Sequence, residues 1–407
     1  MFIPATSMLS KIRSILFPFA IVSIILGTAV AIIAYGRGYR IDLTNLALNS
    51  TGLVVIQSEP NGAQIIVDGK IKTATPATLT LKPGNYTITV AKEGFQSWEK
   101  HIKVEGEVVN KIDALLLPTN PSLAALTASG IVNPSLSPDG SKLAYIVPQT
   151  VLTATSSAGV ATKPGIWVLD LVDKPLGFNR DAREITKSGP IDFSKATITW
   201  SPDNKQILAT LPKPIKYYVF DIDTLTENPQ ELFDIKTLQN DWNILKEQHD
   251  KEKLSTLPKL FTDVATSSAR FITFSPDETK ILYQASTSAT LPIIKLPRLL
   301  GPNSTDEIRT IKKDYTYVYD IKEDRNYLVS TATSMPQWLP TSRHLVLVSK
   351  NTVEIMDFDG INRHTAYAGP FWDSFAVPWA SGGKLVILTN LNPQASSMNN
   401  LYIVNLK

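Results

Sequence analysis

The stretch Trp200-Ser201-Pro202-Asp203-Asn204, followed by Gln206-Ile207-Leu208-Ala209, decides the fold, because the chain writes it again. Leu136-Ser137-Pro138-Asp139-Gly140 precedes Lys142-Leu143-Ala144-Tyr145-Ile146, and Phe274-Ser275-Pro276-Asp277-Glu278 precedes Lys280-Ile281-Leu282-Tyr283. Two looser copies follow. Trp338-Leu339-Pro340-Thr341 leads into Leu345-Val346-Leu347-Val348, and Trp379-Ala380-Ser381-Gly382-Gly383 into Leu385-Val386-Ile387-Leu388. In each copy a bulky residue ends one strand, a tight turn reverses the chain, and an apolar strand returns. Proline presets φ in such a turn and aspartate bonds the nearby backbone.

A third apolar run completes each copy: Ile166-Trp167-Val168-Leu169-Asp170, Tyr218-Val219-Phe220-Asp221, Tyr317-Val318-Tyr319-Asp320, Val353-Glu354-Ile355-Met356-Asp357 and Leu401-Tyr402-Ile403-Val404-Asn405. One such sheet cannot bury both faces alone, so several must pack around an axis. The repeat resembles the TolB-type propeller repeat within the WD-like class and covers residues 120–407. Only the last two copies lie about one blade (roughly 40 to 45 residues) apart; the wider gaps carry insertions or hide a degenerate blade. The chain ends after a third strand. Leu123 to Ile131 is placed to supply the fourth and close the ring, removing open sheet edges. Five blades are expected, with six or more as the alternative.

Two insertions differ in kind. Gln149 to Thr162, rich in threonine, serine and alanine, reads as a loop. Residues 238–254 place Leu238, Trp242, Leu245 and His249 at helical spacing, with Lys246, Glu247, Asp250 and Glu252 on other faces. This predicts a short helix packed on a propeller edge, a partner-binding helix being the alternative.

Upstream, short strands crowd together. Leu53-Val54-Val55-Ile56 is β-branched, Gln64-Ile65-Ile66-Val67 runs into the hairpin dipeptide Asp68-Gly69, and Tyr86, Ile88 and Val90 alternate with threonines. The ordered series Ser58, Pro60, Gly62-Ala63, Val67-Asp68-Gly69, Thr75-Pro76, Leu79, Leu81, Gly84, Tyr86, Val90 and Gly94-Phe95 resembles the PEGA domain over residues 52–117. Asn61 interrupts the literal four-letter string. The resemblance implies a small β-sandwich of prokaryotic surface proteins and brings no catalytic residues. Pro60, Gly62, Gly69 and Gly84 read as turn formers.

Residues 14–35 contain no ionisable side chain except the Tyr35 phenol. Their length as a helix matches a bilayer core of about 30 Å. A transmembrane anchor is the expected reading. Lys11 and Arg13 with Ala29-Val30-Ala31 also fit a cleaved signal peptide, but the apolar run continues to Ala34. A buried core helix is the remaining alternative; a run apolar on every face over this length favours a membrane span. Arg37 and Arg40 nearly balance Lys11 and Arg13. The short tail, residues 1–13, is assigned to the cytoplasm and the large C-terminal region to the outside. Residues 36–51 read as a linker.

Composition narrows the chemistry. The 407 residues are 43 % hydrophobic and 19 % charged, which suits folded β-rich domains. A net charge of +3 with no basic run gives no nucleic-acid footprint. With no cysteine, disulfides, thiolate metal sites and cysteine nucleophiles are excluded. No Walker A loop or G-x-S-x-G elbow is present, and His101, His249, His344 and His364 form no H-E-x-x-H pair. Asp139, Asp203 and Asp277 recur at one turn position, and Asp170, Asp221, Asp320 and Asp357 end third strands, so turn capping explains them. Trp200, Trp338 and Trp379 read as repeat-core residues. Trp372, in Pro370-Phe371-Trp372-Asp373, is the aromatic that the repeat leaves unexplained and the candidate ligand contact.

The expectation is thus a mainly β, membrane-anchored, surface-exposed binding or scaffold protein. It has no catalytic residue, metal or cofactor. Its partners are the lipid bilayer and an envelope protein, peptide or glycan. A propeller-based lyase or hydrolase, and an extracytoplasmic sensor subunit, are the alternatives.

Overall fold

The computed structural model describes residues 6–36, 39–42, 47–149, 163–173, 182–187, 189, 191–255, 257, 267–299, 301, 303–332, 334–372, 374–394 and 398–407. The predicted loop at 149–162 lies, from residue 150 on, outside them. Helix α1 spans Thr6–Gly36. Its segment Leu16–Gly36, with a mean hydropathy of 2.6, is long and apolar enough to cross a membrane, and none of it is buried in the protein. Because α1 begins before Ser14, Pro18 sits in its interior rather than in the first turn. The expected linker contains a short ladder, Arg40–Asp42 against Ala47–Asn49. Three residues of alternation are too few to mark such strands in a sequence.

The remainder divides into two compact units, Met1–Lys92 with Ser97–Leu116 and Leu299–Ser304, and Glu93–Gln96 with Leu117–Arg298 and Thr305–Lys407. Besides α1 and that ladder, the first holds two sheets among the described residues. Gly52–Glu59 pairs antiparallel with Ala77–Leu81 and parallel with Val109–Leu115. Gln64–Val67 lies between Lys70–Ala74 and Gly84–Ala91, and Trp98–Val104 adds the outer strand. Alternation decides burial: Val54 and Ile56 from one sheet, and Ile65, Val67, Ile88, Val90 and Ile102 from the other, are buried. Asp68 and Gly69 both adopt positive φ, +47° and +75°, as a two-residue hairpin turn requires.

The family-matching residues Ser58, Ala63 and Thr75 form a buried clasp. The Ser58 hydroxyl donates to the Pro60 carbonyl at 2.7 Å, so Thr75 donates to Ser58 at 2.5 Å. Thr75 Oγ1 in turn accepts the Ala63 N–H at 3.0 Å.

The second unit is a succession of antiparallel meanders. Among the described residues it has five sheets of this kind. The first comprises Val132–Leu136, Lys142–Val147, Gly165–Asp170 and Arg183–Lys187. The second has three strands, Thr197–Trp200, Gln206–Pro212 and Ile215–Asp221. The third comprises Ala269–Phe274, Lys280–Ala285, Thr316–Asp320 and Arg325–Ser330, with a hairpin, Ala289–Thr290 and Thr310–Ile311, inserted before its third strand. The fourth comprises Gln337–Trp338, His344–Val348, Thr352–Asp357 and His364–Ala368. In the fifth, Ala376–Pro378, Lys384–Thr389 and Asn400–Asn405 are completed by Leu123–Ala125 from the start of the unit.

That last pairing joins the two ends of the region: Leu123 lies opposite Val404 and Ala125 opposite Tyr402. Asn400 strengthens it, accepting the Gly130 N–H at 2.9 Å. Neighbouring sheets share cores. Ile146 and Val168 pack with Phe193 and Phe220, Tyr145 and Leu169 with Trp379 and Val386, and Leu282 and Val318 with Leu345 and Met356. Consecutive meanders packed face to face and sealed by pairing of first and last strands make a propeller architecture.

Helix α2, Ile235–Ser255, follows the second sheet in the chain. Asp234 caps it, accepting the Thr237 N–H at 3.1 Å. The predicted apolar stripe is only partly covered. Leu238 and Trp242 are half-buried, whereas Leu245 and His249 are exposed. Packing is thus confined to the first turns and to Lys253, whose ammonium lies 5.8 Å from the Phe274 ring centre.

Candidate functional site

The recurring aspartates are turn caps. Asp139 Oδ1 accepts the Ser137 hydroxyl at 2.5 Å and the Ser141 N–H at 3.0 Å. Asp203 does the same with Ser201 at 2.6 Å and Lys205 at 3.2 Å, and Asp277 with Ser275 at 2.7 Å and Thr279 at 3.1 Å. Burial pushes each carboxyl up, but these bonds outweigh it and hold all three below the usual carboxylate range. They are committed acceptors, unsuited to donating a proton.

The turns also join sheets. The Asp139 N–H donates to Asn204 Oδ1 at 3.2 Å, and the Asp277 N–H to Ser342 Oγ at 2.9 Å. The Trp200 indole donates to the Ser135 carbonyl at 3.0 Å and the Trp338 indole to the Thr273 carbonyl at 3.3 Å. Among the third-strand aspartates, Asp221 accepts the Asp223 N–H at 2.9 Å and Asp320 the Glu323 N–H at 2.8 Å. Asp170 instead pairs with Arg183 at 3.3 Å, and Asp357 binds Asn362 Nδ2 at 2.9 Å.

Trp200, Trp338 and Trp379 are buried. The last corrects the sequence alignment by one place. The Trp379 N–H bonds the Lys384 carbonyl as the Ser137 N–H bonds that of Lys142, so Trp379 stands at the serine position, not at that of Trp338. Pro378 takes the strand-end place, and the Trp379 ring packs into the core with Tyr145, Leu169 and Val386.

Counting back four residues from that turn position reaches Asn133, Thr197, Phe271, Met335 and Phe375 in the five copies. Three of these, Asn133, Thr197 and Phe375, meet in one cavity of about 270 Å³, lined also by Pro134, Ser135, Ile198 and Leu388. They come from the first strands of the first and second sheets and from the lead-in to the fifth, at the strand ends opposite the turns, so the cavity is a mouth shared by three sheets. Among the described residues no ionisable side chain lines the cavity. Asn133 Nδ2 donates to the Ala196 carbonyl at 2.7 Å, while the Ser135 and Thr197 hydroxyls make no hydrogen bond among the described residues.

Trp372 belongs to the loop beside this mouth. Its N–H bonds the carbonyl of the cavity residue Leu388 at 2.7 Å, and its carbonyl accepts from Phe375 at 2.9 Å. The indole is 58 % exposed. The mouth residues were not among the sequence candidates. Their signal was a fixed offset from the turn, which carries meaning only once the ring brings the copies together.

The histidines stay apart. His101 meets the Thr87 hydroxyl at 2.9 Å, His249 is exposed on α2, and His344 is buried beside Thr341 at 2.8 Å. Among the described residues no three His, Asp or Glu side chains gather as a metal-ligand set.

Residues 51–120 match the family model described as the PEGA domain. The chain therefore carries a PEGA domain, followed by a region of propeller architecture. Among solved structures it is similar to a putative TolB from Agrobacterium tumefaciens, at 14 % identity over 85 % of this chain and 99 % of that one, with a TM-score of 0.20. It is similar to TolB from Acinetobacter baumannii at 13 % identity over 84 % and 63 %, TM-score 0.22. It is also similar to the acylaminoacyl peptidase of Pyrococcus horikoshii at 12 % identity over 68 % and 39 %, TM-score 0.21. No curated protein matches the chain.

Proposed function

We propose that the protein is a membrane-anchored, envelope-associated binding or scaffold protein, held by α1 with its short N-terminus inside and its β units outside. Recognition falls to the propeller region, whose five sheets serve as five blades. One observation carries this reading. Among the described residues, the Phe375 ring and the Ser135 and Thr197 hydroxyls line a cavity without an ionisable side chain, beside the exposed Trp372, which suits the binding of a neutral ligand. The PEGA domain supports an envelope setting and serves as a spacer next to the membrane.

The test places a photo-crosslinking residue at Trp372, or at Lys251 on the exposed face of α2, in the full chain within native membranes. A species captured at 372 and not at 251, from protein whose intact mass retains residues 6–36, is the expected result. Capture at neither position, together with turnover in a hydrolase and lyase screen, would refute the binding role.

A further inference from the structure

Phe271 is the least expected residue at this repeat position. It lies at a bulge in the first strand of the third sheet, where the register shifts between Arg270 and Thr273. Its φ is +52°, a left-handed backbone that bulky residues rarely adopt, and its ring is 64 % exposed. Glycine would take that backbone without strain. Retaining a strained, solvent-facing aromatic is costly on both counts, and such costs collect where a side chain is used. The first sheet carries an equivalent bulge, between Val132 and Ser135. Asn133, with φ +51°, lines the mouth cavity.

We propose that the mouth binds a neutral carbohydrate chain, stacked on Phe271 and Trp372 and hydrogen-bonded by Asn133, Ser135 and Thr197. This rests on the binding role above. Sugar rings present apolar C–H faces and hydroxyl edges, which call for flat aromatic platforms and for amide and hydroxyl partners. The unpartnered Ser135 and Thr197 hydroxyls supply such partners beside the Phe375 ring. Charge selects among polymers. An acidic chain needs available cations, but Arg270, whose guanidinium lies 5.5 Å from the Phe271 ring centre, is already paired with Asp314 at 2.7 Å and Gln284 at 2.9 Å. A peptide needs partners for its amides along its whole length, whereas these hydroxyls are gathered in one cavity of about 270 Å³.

The experiment uses the full chain in lipid nanodiscs, so that no sugar-headed detergent competes. Maltohexaose, cellohexaose and chitohexaose are titrated by calorimetry beside an oligogalacturonate and an apolar hexapeptide. At least one neutral hexasaccharide is expected to bind saturably, and Phe271→Gly and Trp372→Ala each to weaken it about tenfold, as loss of an aromatic anchor does. Phe271→Gly, which suits the backbone, is expected to melt no lower than the parent chain. Binding of none of the three, or binding untouched by both substitutions, overturns the proposal. Binding of the peptide or the acidic probe alone also overturns it, while leaving the binding role itself in place.

Discussion

Removing the Asp324 carboxylate tests how the third sheet holds the flanking segments 289–298 and 305–311. Asp324 is 1 % exposed, and its two oxygens serve four donors. Oδ2 accepts the Ile294 and Lys295 N–H groups at 2.7 and 2.9 Å; Oδ1 accepts the Tyr319 hydroxyl at 2.8 Å and faces Arg309 at 3.1 Å. Breaking a buried ion pair by deleting one partner typically costs about 3–5 kcal/mol. In Asp324→Ala, Arg309 keeps Glu307 at 3.0 Å and the Pro292 carbonyl at 2.5 Å, so its charge is not stranded. That places the expected loss at the lower end, about 3 kcal/mol, or roughly a hundredfold in the local opening equilibrium. Hydrogen exchange read by mass spectrometry is the assay, since it resolves local opening that a global melt would average. Peptides covering 289–298 and 305–311 should exchange about a hundredfold faster while those of the first sheet stay unchanged. Acceleration below about threefold would refute the clamp. Acid adds a second reading. Burial pushes the Asp324 carboxyl up, but the Lys295, Ile294, Tyr319 and Arg309 bonds outweigh it and hold it below the ordinary carboxylate value. Its stabilisation is therefore complete above the unfolded value near 4 and fades as pH falls below that through the folded value. Protection of these two segments should decline in that range, and Asp324→Ala should remove the carboxylate's share of the decline.

His344 predicts a second acid response. Burial, with help from Arg343 and against Asp359, pulls its imidazole down to about 4. Between about pH 6.5 and 4 the unfolded chain takes up a proton that the folded one refuses, so stability falls as pH drops, by about 3 kcal/mol over the whole interval. His344→Asn should flatten that part of the profile in urea melts followed by tryptophan fluorescence; superimposable slopes would show the histidine to be irrelevant. Ring closure is tested by Ala125→Cys with Tyr402→Cys, a directly paired position in a chain without other thiols. Oxidation should crosslink the folded protein in high yield, and failure to do so would argue against the pairing of first and last strands.

Much of the propeller was legible because it is written locally. The Ser-Pro-Asp turns, and the third runs that became Gly165–Asp170, Ile215–Asp221, Thr316–Asp320, Thr352–Asp357 and Asn400–Asn405, depend on neighbours in the chain. The clasp of Ser58, Ala63 and Thr75 lies among residues already singled out, though the sequence does not disclose its bonds. Helix α2 was legible as a helix, but not in its exposure. An apolar stripe reports what a helix is able to bury, and the neighbouring surface decides how much is covered. The shifted role of Trp379 was hidden because a tryptophan before a glycine-rich turn looks alike in either register. The bond to Lys384 separates the two.

By itself the sequence determined the apolar N-terminal helix, the PEGA domain, and the order of strands and turns in the repeat. Each follows from side-chain periodicity and turn chemistry within a few residues. Tertiary structure alone decided the rest. Pairing Leu123–Ala125 with Asn400–Asn405 closes a path of nearly the whole region, and only then do Asn133, Thr197 and Phe375 share one cavity beside Trp372. Positions so distant along the chain carry no local sign that they meet. Their contact follows from packing and edge satisfaction, which belong to the whole ring.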